Sequence, residues 1–154
     1  MSIRPATPFD VAEIVTLRLR LFECFNRLDS ELTEKTRAVT HQYFERSFDN
    51  DDCKTWVAET DQRLVALGSL ALFIRPPNPH NLSGKEAYLM NMYTLPEYRR
   101  RGYSKGILQQ AMAHALSNGF GRIWLHASDD GQPLYQGAGF RHSDKYMEWK
   151  PVAI

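Results

Sequence analysis

Residues 88–116 read YLMNMYTLPEYRRRGYSKGILQQAMAHAL: an apolar strand, a proline-marked turn, a basic loop containing glycines, and a helix. From Ile107 onward the apolar residues fall at Ile107, Leu108, Ala111, Met112, Ala115 and Leu116, the spacing of one helical face. Gly119 supplies the stop. Between strand and helix lies Arg99-Arg100-Arg101-Gly102-Tyr103-Ser104-Lys105-Gly106. Its small residues let the backbone approach a ligand, and the first N–H groups of the helix point outward with no partner of their own, an arrangement that attracts phosphate. Arg99, Arg100, Arg101 and Lys105 add the positive charge a pyrophosphate needs. The stretch carries neither the G-x-x-x-x-G-K-[ST] of a nucleoside-triphosphate loop nor the G-x-G-x-x-G of a dinucleotide fold.

It does match [QR]-x-x-G-x-[GA], as Arg99-x-x-Gly102-x-Ser104, with a strand and Leu95-Pro96-Glu97-Tyr98 before it and an amphipathic helix after it. In that context the stretch resembles the acetyl-CoA signature of the GNAT superfamily of N-acetyltransferases. Ser104 stands where the family usually carries Gly or Ala; it is small enough to keep the close approach, and its hydroxyl offers a phosphate contact. The opening IRPATPFD, residues 3–10, resembles the first strand and turn of many members. Leu134-Tyr135-Gln136-Gly137-Ala138-Gly139-Phe140 resembles the motif in which a tyrosine faces the sulfur of the coenzyme.

The resemblance implies one α/β domain over residues 1–154 with the GNAT (acyl-CoA N-acyltransferase) fold: a mixed, bent β-sheet of six or seven strands flanked by helices. It implies acetyl-CoA as cosubstrate, no metal, and direct attack by a primary amine of an unidentified acceptor. By the same likeness strand four ends in a bulge that splays it from strand five, and Met92, Tyr93 and Thr94 face the pantetheine arm in the cleft between them. Arg99, Arg100, Arg101, Gly102, Tyr103, Ser104, Lys105 and Gly106 would hold the diphosphate. Tyr135 would protonate the leaving thiolate. An ordinary thiol has a pKa near ~8.5 and a phenol one near ~10, so a phenol aimed at the sulfur can donate as charge develops.

Composition is that of an ordinary globular chain: 154 residues, 43% hydrophobic, 24% charged, net charge +1. The basic cluster is therefore local, and no global field of the kind nucleic-acid binders use exists. Cys24 and Cys53 have neither metal-ligand nor disulfide-framework spacing. No secretion signal opens the chain and no run approaches a membrane span, so the expected location is the cytoplasm. Partners are expected to be acetyl-CoA and an amine-bearing acceptor, with no nucleic acid and no membrane, and with room for a homodimer.

Along the rest of the chain, Thr7-Pro8-Phe9-Asp10 has the form of a capped helix entry. A first helix carries Ile14, Leu17, Leu21, Phe22, Phe25 and Leu28 as its core stripe, with Arg18, Arg20 and Glu23 elsewhere. Residues 26–32 read as a loop, and a second helix runs from about Thr33 to Phe48 with Val39, Tyr43, Phe44 and Phe48 along one side. In the family this region shapes the acceptor pocket; His41 here reads as an exposed or packing residue. Thr55–Glu59 and Leu64–Ile74 form a hairpin, with Gly68 marking a bulge or close contact. Residues 75–84 form a proline-rich loop that either covers the acceptor or is a plain connection. Strand five spans Arg122 to Ala127, a short helix Gln132 to Gln136, and a last strand holds Tyr146, Glu148 and Trp149.

An ammonium must lose a proton before it can attack. Glu23 and Glu97 are weak candidates for taking it, strand five offers no glutamate, a water relay ending at a carboxylate or main-chain carbonyl serves equally well, and the base stays unassigned. Two other classes remain: a non-catalytic acyl-CoA-binding or sensing module, and a nucleic-acid contact through the arginine triplet.

Overall fold

The computed structural model describes residues 2–151. Five strands form one sheet in the order β1 (Ser2–Pro5), β2 (Cys53–Thr60), β3 (Arg63–Ile74), β4 (Lys85–Thr94) and β5 (Arg122–Trp124). The first four are antiparallel neighbours, and β5 joins β4 in parallel. Helices α1 (Val11–Glu23) and α2 (Ser30–Asn50) precede β2, α3 (Tyr103–Ser117) connects β4 to β5, and α4 (Gln132–Gly137) follows β5.

The chain enters α1 through a 3₁₀ turn, Pro8–Asp10. Asp10 accepts from the Thr7 N–H at 2.7 Å and from its hydroxyl at 3.0 Å. The same carboxylate meets Arg4 at 2.8 Å, which also binds Glu59 of β2 at 2.9 Å. One buried carboxylate thus ties β1, α1 and β2 together, and the Arg4 guanidinium draws its pKa down to about 2.

Gly68 shows which face each helix covers. A Cβ there would lie 2.3 Å from Met92 Sδ and 2.6 Å from Ile107 of α3, so only hydrogen leaves room for α3 on that face. Its neighbour Ser69 points the opposite way, bonded to Thr55 at 2.8 Å and approached by Asn91 at 3.4 Å. That is the face α1 and α2 cover. The core is Ile14, Val15 and Phe44 from those helices, Ile107 and Leu108 from α3, and Val57, Val65, Leu67 and Leu70 from the sheet.

Several sequence expectations need correction. The sheet has five strands among the described residues rather than six or seven, because residues 141–150 make no ladder. Tyr146 instead bonds Glu148 at 3.1 Å and packs its ring 5.2 Å from His126, leaving Met147 and Trp149 exposed. A partner for them would need a long β5, but β5 stops at Trp124, short of the expected Ala127. Helix α1 ends at Glu23, so Phe25 falls beyond it and is exposed, while Val11, Val15 and Leu19 complete the buried stripe. Helix α2 starts earlier than expected because the Asp29 side chain accepts from the Leu32 N–H at 2.7 Å. Val39 and Leu116 are exposed, and Phe44 alone of the expected α2 residues is fully buried. The 75–84 loop folds onto the α3–β5 turn, Ser83 donating to Gly119 O at 2.8 Å, at the end of β4 remote from Thr94.

Candidate active site

The site begins where β4 loses its regularity. Toward β3, Leu67 pairs with Tyr93 and Ser69 with Met90, so Asn91 and Met92 together oppose Gly68. Asn91 takes a left-handed φ of 63°, a backbone that asparagine accepts more readily than other non-glycine residues, and forms a bulge. Toward β5, pairing covers only Glu86, Ala87 and Tyr88. Buried Glu86 anchors that paired end between Arg75 at 3.1 Å and Arg122 at 3.5 Å. Beyond Tyr88 the strands part, and the β5-side main chain of Leu89–Thr94 has no strand beside it.

The loop then turns through a second 3₁₀ segment, Pro96–Tyr98, toward α3. Arg100 at φ 63° and Gly102 at φ 85° set the turn, and the first helical bond runs from the Gly106 N–H to Gly102 O at 3.0 Å. The N–H groups of Tyr103, Ser104 and Lys105 therefore have no intrahelical acceptor. No atom outside the turn lies within 4 Å of where a Gly102 Cβ would be, so this edge is open to a ligand.

The side chains divide into two groups. Arg99 donates to Thr94 O at 3.0 Å and lies over the Tyr93 ring, bracing the end of β4. Ser104 shares a 2.9 Å hydrogen bond with Thr94, so its hydroxyl joins α3 to β4. Tyr103 is buried, its hydroxyl 3.1 Å from Thr60 Oγ1. Met92 points toward α3, and Gly106 sits against Ile3. Arg101 lies over Tyr98, and Arg100 and Lys105 stay exposed. What this stretch offers a ligand is thus mainly backbone plus a rim of exposed cations.

Tyr135 stands on α4, with Tyr88 of β4 near it and its ring edge-on to Phe140 at 5.9 Å. The turn before α4 is closed by Ser128, which accepts from the Gly131 N–H at 3.2 Å. Burial raises the Tyr135 pKa, and the nearby Tyr88 raises it further, so the phenol keeps its proton. A cleft of about 1440 Å³ runs past it, lined by Trp124, His126, Tyr135 and Phe140 among others. A smaller cavity of about 570 Å³ lies between α1, α2 and the end of β4, lined by Arg20, Cys24, Arg37, Tyr93 and Glu97 among others.

Two groups here escaped sequence reading. The Tyr88 hydroxyl lies 2.7 Å from His126 Nδ1, within a ring cluster that includes Trp124 and Tyr146. Nothing local marks them, since 38 residues separate the pair and His126 lies in the irregular stretch after β5. Arg18 is the other: half-buried, over Phe22 at 4.7 Å, with Asn91 Oδ1 at 3.5 Å. His41, by contrast, faces Glu45 at 3.5 Å on the exposed side of α2. No three His, Cys, Asp or Glu side chains converge as a metal site requires, and no helix is long and apolar enough to cross a membrane, among the described residues.

The sequence matches the model of the acetyltransferase (GNAT) family over residues 17–140. A crystal structure of a predicted acetyltransferase with acetyl-CoA from Clostridium acetobutylicum is 27% identical, superposes with a TM-score of 0.86, and is matched over 97% of this chain and 95% of that one. A GCN5-related N-acetyltransferase from Ralstonia eutropha JMP134 gives 24% identity and a TM-score of 0.84, over 98% and 97% of the two chains. Glucosamine-6-phosphate N-acetyltransferase from Arabidopsis thaliana shares the fold at 18% identity and a TM-score of 0.72, with 97% of each chain covered. No curated protein matches. Parallel β5 leaving bulged β4, with α3 starting at a glycine-bearing basic turn, is the GNAT fold, and the chain belongs to the GNAT family of acetyltransferases.

Proposed function

We propose that this protein transfers the acetyl group of acetyl-CoA to a primary amine by direct attack of the amine on the thioester. The observation that carries this reading is the parting of β4 from β5 after Tyr88, which leaves a strand edge free just past the residue that Tyr135 neighbours. Main-chain groups of Met92, Tyr93 and Thr94 on that edge would hold the pantetheine arm as an added strand. The free N–H groups at the start of α3 would take the diphosphate, with Arg100, Arg101 and Lys105 neutralising what remains and Arg99 bracing Thr94. Gly102 keeps the approach open, while Ser104 ties the turn to Thr94 and Gly106 makes room for Ile3; Tyr103 contributes its N–H while its ring anchors the turn.

Acetyl-CoA supplies the activated acetyl group. Tyr135 holds a proton for the departing thiolate, and its raised pKa keeps that proton in place near neutral pH. Tyr88 and His126 form the route by which the ammonium is deprotonated. With Nδ1 of His126 unprotonated, a proton reaching the Tyr88 oxygen releases the hydroxyl proton to Nδ1, leaving Tyr88 neutral and His126 as imidazolium. This fills the role for which the sequence offered no glutamate.

The test measures free-thiol release from acetyl-CoA across a panel of amines, beside calorimetric binding of acetyl-CoA. Turnover with at least one amine is expected, and His126→Gln should lower kcat by about 10²-fold at unchanged coenzyme affinity. Binding without turnover of any amine would instead favour an acyl-CoA-sensing module.

A further inference from the structure

Three arginines among the described residues are half-buried: Arg4, Arg18 and Arg37. Arg4 meets Asp10 at 2.8 Å and Glu59 at 2.9 Å, and Arg37 meets Glu34 at 3.4 Å. Arg18 makes no ion pair among the described residues. Its single polar contact is the long one to Asn91, and an aromatic ring covers its face. The ionisable groups around it are Tyr43 from α2, Cys53 from β2 and Tyr88 from β4. Burial raises the pKa of all three, so none carries a countercharge near neutral pH.

A guanidinium withdrawn from water without an anion is costly, and a folded chain ordinarily supplies the carboxylate, as it does for Arg4 and Arg37. Here the position is also informative. Arg18 reaches from α1 to the bulge residue Asn91, on the sheet face opposite α3, with Tyr88, whose hydroxyl bonds His126, among the groups around it. An anion arriving there would come with the acceptor. We propose that Arg18 recognises a carboxylate on the acceptor, so that the protein acetylates amines carrying a carboxylate a few bonds from the nitrogen.

A single guanidinium backed by one neutral amide suits a monoanion in planar, two-point contact better than a phosphate, which draws several cations. The inference rests on the acetyl-transfer reading above and deepens it by naming the acceptor class. Arg18 is a specificity residue; the proton route runs through Tyr88 and His126.

The experiment compares α- and ω-amino acids with their carboxamides as acceptors, for the wild type, Arg18→Gln and Arg18→Lys. The expected result is a wild-type preference for the acid over the matching amide in kcat/KM of about ten- to a hundredfold, carried by KM. Arg18→Gln should collapse that ratio toward one, and Arg18→Lys, which keeps the charge, should restore part of it. Equal use of acid and amide by the wild type would overturn the proposal, as would an Arg18→Gln enzyme that keeps the preference. Coenzyme binding with no amino acid acetylated would also overturn it. Failure to bind acetyl-CoA at all, read by calorimetry on the same wild-type sample, would instead strike the acetyl-transfer reading.

Discussion

Along its edge toward β3, β4 pairs eight residues between Lys85 and Thr94; along its edge toward β5 it pairs three. The first edge is held by core side chains such as Leu67, Leu70 and Leu89, and by Gly68, whose missing side chain admits α3. The second is pinned only at its start, where Arg75 and Arg122 flank buried Glu86, and is then released. Unpaired strand groups are a hazard in most folds, inviting association with any other strand. Here the released edge leads into the basic entrance of α3, and under the proposed function it is the surface that takes an extended ligand. The closed edge supplies the rigidity that the open edge needs to hold a geometry.

Perturbations on the two edges should separate activity from stability. The largest expected effect belongs to the open side: Tyr135→Phe should lower kcat by about a thousandfold, with acetyl-CoA affinity unchanged in calorimetry. An equal fall in coenzyme affinity would recast Tyr135 as a packing residue beside Phe140. On the closed side, Gly68→Val drives a side chain into Met92 and Ile107 and should cost about 3 kcal/mol in urea unfolding, because the backbone of α3 must shift.

Asp10, away from both edges, gives a pH signature. Its folded pKa of about 2 lies below its ordinary 3.8, so its contribution is fully present above pH 4 and lost as pH falls through 2. From that shift the contribution is about 2 kcal/mol. The stability gap between wild type and Asp10→Asn should therefore close over that acidic range in unfolding curves; a constant gap would mean the shift is absent. The smallest effect is expected at Gly102→Ala, which meets no neighbour but must hold φ at 85°. About 1 kcal/mol of lost stability is expected, measured by denaturant unfolding.

Much of the framework outside the open edge was legible in the sequence because its signals are local. The Thr7–Asp10 cap, the hairpin around residues 61–62, Gly68 and the stripe of α3 each rest on periodicity or turn chemistry within a few residues. The basic loop was legible for the same reason, although the hydroxyl of Ser104 turns to Thr94 rather than outward. The open edge was foreseen only through family likeness, since nothing about Asn91 announces a left-handed bulge. The sequence places Arg18 off the core stripe of the first helix, and only the packing of α1 over β4 turns it inward. Tyr88 and His126 meet because β5 lies parallel beside β4, a contact that no spacing rule encodes. The expected last strand, with Tyr146, Glu148 and Trp149, is absent for a tertiary reason too, since residues 141–150 find no strand to pair with.

Under the proposed function, the released edge of β4 and the start of α3 together grip acetyl-CoA through their main chain. Hydrogen–deuterium exchange with and without acetyl-CoA addresses those amides directly. Slowed exchange is expected, confined to the open-side amides of Met92–Thr94 and to residues 102–105, with the β3-bonded amides of β4 unchanged. Unaltered exchange at both segments in saturating acetyl-CoA would contradict it.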